Sequence, residues 1–250
     1  MLIAATVPHN SRKCCIVQAA HFELGKVEDQ GVRERMVNLL NHVDHELAKK
    51  VAMGIGIPAP TQSVSENHGK SSAALSQENT TKTAKGRKVA ILAADGVNGE
   101  DVMAIKTALK KAGVQAEIVS KFKGMIKSAE GEEIMVDKTF LTSASVLFDA
   151  IYVPGGAESS AALQMQGDAI HFINEAFKHC KPIAATFEGV KLLKNSDIKG
   201  VKISDSSIQN DQGVVTAKTI FALNEFTKSF IEAIAQHRFW MRQEKDQVPA

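Results

Sequence analysis

Apolar positions change their period twice along the chain. Between Val32 and Val51 they fall at Val32, Met36, Leu39, Leu40, Val43, Leu47 and Val51, a spacing that predicts one amphipathic helix. Glu28 and Asp29 precede it, and Lys49, Lys50 and Gly54 close it, the order that the helix dipole and a glycine C-cap favour. Nothing else in about the first 60 residues offers a core for this stripe, so it is expected to pack on a larger partner. From Pro58 to Lys85 large apolar residues almost vanish in favour of Ser, Thr, Asn, Gln and Lys. Such a segment buries too little surface to offset the entropy of ordering it, and reads as a linker.

From Arg87 to about Arg242 short apolar runs alternate with helical stretches. Strands are expected at 88–93, 114–119, 150–153, 183–186, 201–204 and 214–216, with helices at 100–112, 168–177 and 219–237. Gly113 closes the first helix as a C′ residue. Met125-Ile126 and Ile134-Met135-Val136, separated by Glu130-Gly131, suggest a hairpin. Strands alternating with helices argue an α/β domain with a mostly parallel sheet covered on both faces. The stripe Phe226, Phe230, Ile231 and Ile234 reads as the core face of the last helix, and Phe239 and Trp240 beyond it as candidates for packing on a neighbouring subunit.

Composition removes several classes of function. A net charge of +2, a pI near 8.3 and few aromatics do not make a nucleic-acid surface. No apolar run approaches the roughly 18 residues of a membrane span. The opening Met1-Leu2-Ile3-Ala4-Ala5-Thr6-Val7-Pro8 lacks the basic and long apolar regions of a signal peptide. Cys14, Cys15 and Cys180 fit neither a disulfide framework nor a zinc spacing, and a reducing cytoplasm is expected.

Candidate chemistry concentrates in Lys181-Pro182-Ile183-Ala184-Ala185-Thr186-Phe187-Glu188-Gly189. An apolar strand here enters a tight turn and then a helix, the layout of a nucleophile elbow. The tip residue is Phe187, which has no nucleophilic atom, and it is expected to be buried in the volume a reactive side chain would occupy. Glu188 beside it reads as a local hydrogen-bonding group more readily than as a general base. Gly155-Gly156 before a helix could offer free amides, but this is neither a P-loop nor a dinucleotide fingerprint. Cys180, after His179, sits at the wrong end of a helix to be activated. His42, His45 and Glu46 share part of one predicted helix face without further ligands, so a solvated face is the simpler reading and no metal site is assigned.

Residues 87–200 resemble the PfpI-like branch of the class I glutamine-amidotransferase-like superfamily. The resemblance rests on the strand Val89-Ala90-Ile91-Leu92 with the acidic turn Glu100-Asp101, on Val153-Pro154-Gly155-Gly156, and on the elbow. The resemblance implies a flavodoxin-like, doubly wound fold. It also implies an acidic residue contacting an elbow cysteine, and an oxyanion-binding turn at Gly155 and Gly156. Phe187 stands where that cysteine would be and Glu188 where a histidine often follows, so no catalytic residue is expected. The flanks, Ile16 to Val27, Val32 to Val37, Val43 to Gly54 and Ala233 to Trp240, resemble the helical tail and the chain end of haem catalases of the large-subunit kind.

That ordered resemblance implies a remnant of a catalase helical tail at 1–57, a flexible linker at 58–86, a PfpI-like domain at 87–242 and a tail at 243–250. It implies a parent reaction of hydrogen peroxide dismutation, haem in the parent but no cofactor in this chain, a catalase haem domain as partner, and a homotetramer. The chain's own role is then structural, assembly-related or chaperone-like, with the uncovered stripe at Val32–Val51 suggesting the last. The alternative is a PfpI-like hydrolase or deglycase with a displaced nucleophile, Thr186 or Cys180.

The linker reading carries its own test. Limited proteolysis should cut within Pro58–Lys85 and leave a folded fragment, from about Arg87 onward, of unchanged melting temperature, because loop closure stabilises little and only slowly with length. Protection of that stretch, or collapse of the domain once it is cut, would count against it.

Overall fold

The computed structural model describes residues 10–64, 81–204, 206–218 and 223–242, with the backbone alone at 10–15. They divide into two units, one ending at Thr81 and one beginning at Lys82.

The first unit holds three helices, α1 (Asn10–Leu24), α2 (Gln30–Asn41) and α3 (His45–Gly54). The single helix expected over Val32–Val51 is therefore two. Asp44, with an extended backbone, accepts a hydrogen bond at Oδ1 from Leu47 N at 2.8 Å and so starts a new helix, as Asp29 does for α2 through Val32 N. The apolar period runs straight through this break, which is why it was invisible to spacing. Part of the stripe is covered from within: Leu47 and Val51 are buried and Leu40 packs against them, whereas Leu39 and Val43 are exposed. Val17, Val37, Leu47, Ala48, Val51, Ala52, Ile55 and Ile57 form one buried cluster, so α1 and the residues after α3 supply the core that the sequence seemed to lack. His42 ends α2, whereas His45 opens α3 with Nδ1 2.8 Å from Asn41 Oδ1, so His42, His45 and Glu46 do not share a helix face.

The second unit is built on a seven-stranded sheet. Its strands are β1 (Lys88–Leu92), β2 (Gln115–Ser120), β5 (Lys138–Thr139), β6 (Ala150–Val153), β7 (Ile183–Thr186), β8 (Gln209–Asp211) and β9 (Val214–Ala217), in the order β5-β2-β1-β6-β7-β9-β8. All pairings are parallel except β8 with β9. β3 (Gly124–Lys127) and β4 (Glu133–Val136) form the expected antiparallel hairpin.

Alternation along each strand assigns the two faces. Val89, Ile91 and Tyr152 pack with Val102, Ile105 and Leu109 of α4 (Gly99–Lys111) and with Phe226, Phe230 and Ile234 of α8 (Leu223–Gln236). Ala90, Leu92, Ile151 and Val153 face α5 (Ala157–Gln164), α6 (Gly167–Lys178) and α7 (Gly189–Asn195) through Leu163, Phe172, Ile173, Phe177, Val190 and Leu193. Helices on both faces of a parallel sheet make the doubly wound, flavodoxin-like fold. Strand order reverses between β1 and β6, and a crevice at the carboxyl ends of these strands is where such folds place their sites.

One further expectation needs correction. Residues 201–204 form no strand: Lys202 N donates to Asp211 Oδ2 and Ser204 N to Thr216 Oγ1, so side chains rather than a neighbouring strand satisfy this backbone. The edge is instead the polar Gln209–Asp211, which shows no apolar alternation. Phe239, half-buried, packs within its own chain. Its amide donates to Cys180 O at 2.8 Å, and its ring packs so closely on Gly213 that a Cβ there would lie 2.1 Å away. Finally, of the expected last helix, α8 covers Leu223–Gln236, and residues 219–222 lie outside the described residues, as do 65–80 of the expected linker.

At the opposite ends of these strands Asp149, just before β6, accepts from Lys88 N at 2.9 Å and faces His237 Nε2 at 3.0 Å and Arg87 at 3.5 Å. Burial opposes its charge, but the hydrogen bonds from His237 and Lys88 and the Arg87 guanidinium outweigh it and hold the carboxyl at about 2. A carboxyl lowered by folding stabilises the fold above its ordinary value and loses that contribution as pH falls towards 2. Between pH 5 and pH 2.5, urea melts of the native chain should therefore lose about 1–2 kcal/mol more than those of Asp149→Asn. Equal losses would remove Asp149 as a source of acid sensitivity.

Candidate functional site

The elbow forms because β7 is a central strand flanked by β6 and β9, and α7 begins only two residues after it. The chain must reverse in Phe187 and Glu188. Phe187 adopts φ +46°, the left-handed region, at a cost of roughly 1–2 kcal/mol for a side chain of this kind. Its amide still donates to Ala217 O at 2.9 Å, extending the ladder with β9. Gly189 makes the turn possible: a Cβ there would meet Val153 O at 2.5 Å and Pro154 O at 2.6 Å. The elbow thus lies directly on the Val153–Gly156 turn. Phe187 leans over Gly155, whose added Cβ would approach the ring and Cβ of Phe187 at 3.0 Å. Phe187 is half-buried rather than fully buried, which corrects the expectation.

Beneath the tip lies a buried polar cluster. Asn98 caps α4 by accepting from Asp101 N at 2.8 Å, which fixes Asp101 in the first turn, 6% exposed. Asp101 Oδ2 accepts from Thr186 Oγ1 at 2.5 Å, Tyr152 Oη at 2.6 Å and Gly155 N at 3.2 Å. The two hydroxyls are themselves 2.9 Å apart, and each has one proton, so that contact competes with the bonds to Asp101. Asp101 Oδ1 is buried without a hydrogen-bond partner among the described residues. Tyr152 is fully buried against Phe226 and Phe230, and burial, reinforced by the charge of Asp101, pushes its phenol well above the ordinary value.

Glu188 completes the arrangement. Its Oε2 accepts from Gly156 N at 3.0 Å, and its carbonyl accepts from Ser160 Oγ at 2.9 Å. Its carboxylate therefore sits at the N-terminus of α5, where a negative charge is favoured. Both glycine amides of the Val153–Gly156 turn are engaged by carboxylates of the protein itself. Acyl transfer would need an activated nucleophile and free donors for the developing oxyanion. Neither candidate of the displaced-nucleophile alternative lies open at the tip. Thr186 is fully buried and bonded to Asp101, while Cys180, 1% exposed, precedes β7 and so lies at the other end of that strand from the elbow.

The expected residues thus converge in part. Asp101, Gly155, Gly156, Phe187, Glu188 and Gly189 come together, whereas Glu100 is exposed and makes no contact there. Sequence reasoning missed Tyr152 as a member of the site and named Thr186 only as a displaced nucleophile, not as a partner of Asp101. The signal was present: each is a hydroxyl in an otherwise apolar strand, and a buried hydroxyl requires a partner.

A doubly wound fold whose elbow, acidic helix turn and glycine turn close on one another defines the class of domain. The family described as the C-terminal domain found in long catalases matches residues 85–244, and one described as catalase-related immune-responsive matches residues 10–55. The chain belongs to the family of C-terminal domains of long, large-subunit catalases. It is 42% identical over 227 residues to a catalase of Alkalihalophilus pseudofirmus and 38% identical over 227 residues to Catalase-2 of Bacillus subtilis, alignments that cover 91% of this chain and 31% of each relative. Catalase HPII of Mycobacterium avium is 39% identical over 241 residues, covering 94% of this chain and 34% of its own length. The chain therefore spans about a third of the curated relatives it matches.

Haem is the group such a family implies, with a tyrosinate as its axial ligand. The residues described here do not fit it. Tyr152 is the chain's only tyrosine, and its oxygen is fully buried and committed to Asp101 and Thr186.

Because there is one tyrosine, its titration can be followed cleanly. A phenol raised by folding contributes stability that is full below the ordinary value near 10 and is lost as pH climbs towards the folded value. The native chain should show no phenolate absorbance until it unfolds at alkaline pH, and Tyr152→Phe should cost about 1–3 kcal/mol by removing a hydrogen bond to a charged group. Phenolate absorbance rising near pH 10 with the fold intact would contradict the buried contact.

Proposed function

We propose that this chain is a non-catalytic domain of a large-subunit catalase, serving structure and assembly. In this reading the rest of the protein carries the haem and dismutes hydrogen peroxide to water and oxygen as part of the oxidative stress response. The observation that carries it is the closed elbow. Phe187 occupies the nucleophile position in a nucleophile's backbone conformation, and Asp101 and Glu188 hold the two amides that a substrate oxyanion would need. The catalase names of the relatives support the parent reaction.

The same reading divides the chain into a helical-tail remnant at 1–57, a linker at 58–86, a PfpI-like pseudoenzyme domain at 87–242 and a tail at 243–250. It places the domain in a homo-oligomer, the homotetramer that the resemblance implies, beside the haem domain of the full protein. A reducing cytoplasm suits the buried thiol of Cys180. The motive for the chaperone-like variant narrows to Leu39 and Val43, which stay exposed, since Leu47 and Val51 are covered by the unit's own residues.

The purified chain, mixed with haemin and then peroxide, should acquire no stoichiometric Soret band and evolve no oxygen above buffer. Phe187→Cys should fold, at a cost of about 1–2 kcal/mol for a half-buried ring, and show no esterase or deglycase rate, because its oxyanion donors are already occupied. A catalytic gain in that single variant would reveal a latent enzyme and overturn the non-catalytic reading.

A further inference from the structure

The sulfur atoms of this chain are distributed in an unusual way. Methionine is ordinarily a core-filling side chain. Here none of the methionines with a described side chain is buried: Met36 is half-buried, and Met53, Met103, Met125, Met135, Met165 and Met241 are 52–89% exposed. The two sheet-packing cores are built of Val, Ile, Leu, Ala, Phe and Tyr, with no thioether among their buried residues. Cys180 is shielded at 1% exposure. Two of the exposed methionines are paired. Met125 and Met135 stand directly opposite one another in the β3–β4 hairpin, while Ile126, Ile134 and Val136 turn to the buried side.

We propose that these exposed methionines are separate sites of peroxide modification, with Met125 and Met135 as a paired site. The chemistry is two-electron oxidation of a thioether. A sulfur lone pair attacks one oxygen of hydrogen peroxide, the S–O bond forms as the O–O bond breaks, and the departing hydroxide takes up a proton as water. Each sulfur gains one oxygen and each peroxide is reduced to water. The product is more polar than the thioether and would disrupt a packed core, but an exposed position tolerates it. The reaction class that must follow is thiol-dependent reduction of methionine sulfoxide, which restores the surface. The supply of peroxide rests on the proposed function; the placement of the sulfurs does not.

The test is to treat the chain as it stands with excess hydrogen peroxide, map oxygen addition by peptide mass spectrometry, and record the melting curve and oxygen evolution in parallel. The expected result is six added methionine oxygens, at Met53, Met103, Met125, Met135, Met165 and Met241, with Met36 lagging. Cooperative unfolding and melting temperature should be unchanged, and M125L/M135L should take up two oxygens fewer. Met125 and Met135 staying reduced under conditions that oxidise them in the urea-unfolded chain would overturn the proposal. So would a lowered or non-cooperative melt after oxidation at the exposed sites alone. Oxygen evolution in the same run would instead overturn the inactive-domain reading and leave the residue map standing.

Discussion

The carboxylate of Asp101 ties a helix to two neighbouring strands and to the turn after one of them. It sits in the first turn of the helix after β1, accepts from the hydroxyl of Tyr152 in β6 and of Thr186 in β7, and holds the amide of Gly155 in the turn after β6. These are neighbouring strands on one side of the point where strand order reverses. Each partner is buried, and without the carboxylate the Gly155 amide and one hydroxyl proton would be left unsatisfied in a low-dielectric core, since the two hydroxyls can share only one bond. Three donors converge on one oxygen of that carboxylate, and the helix N-terminus lies behind it.

That arrangement explains how a strained turn persists without a nucleophile. Phe187 retains a positive φ because its amide is locked to Ala217 and because Gly189 lets α7 start against the carbonyls of Val153 and Pro154. Strain of this kind survives only where surrounding contacts over-determine it. Here those contacts are structural bonds within the domain. Glu188 and Asp101 turn the glycine amides inward, so the groups that could receive a substrate oxygen hold the fold together instead.

The helical unit makes a related point about what an amphipathic stripe means. Its apolar positions look orphaned when read along a single predicted helix. In space the break at Asp44 folds α3 back towards α1 and α2, and Val17, Ile55 and Ile57 close the cluster. A stripe is a statement about one face of a helix; whether that face is covered depends on chain reversals that one side-chain cap can create.

By itself the sequence determined the class of fold. Apolar runs such as Lys88–Leu92 and Ile183–Thr186, alternating with amphipathic helices, admit few arrangements other than a parallel sheet covered on both faces, because period and length reflect burial directly. The elbow and the glycine turn were equally legible, since both depend on glycines whose positions a backbone reversal dictates. Tertiary structure alone decided what these features do. Asp101 rather than Glu100 enters the site because of the rotation of α4, set by the Asn98 cap and by Val102 and Ile105 packing on the sheet. Tyr152 and Thr186 meet because they lie on the same face of adjacent parallel strands, two register positions apart, a gap the long phenol spans, across 34 residues of chain. The polar edge strand Gln209–Asp211 was silent in sequence, because an edge is defined by hydrogen bonds to a neighbour and not by its own side chains. Local propensity and period act within a turn or a strand, whereas the partners of a buried charge are chosen by packing over the whole domain.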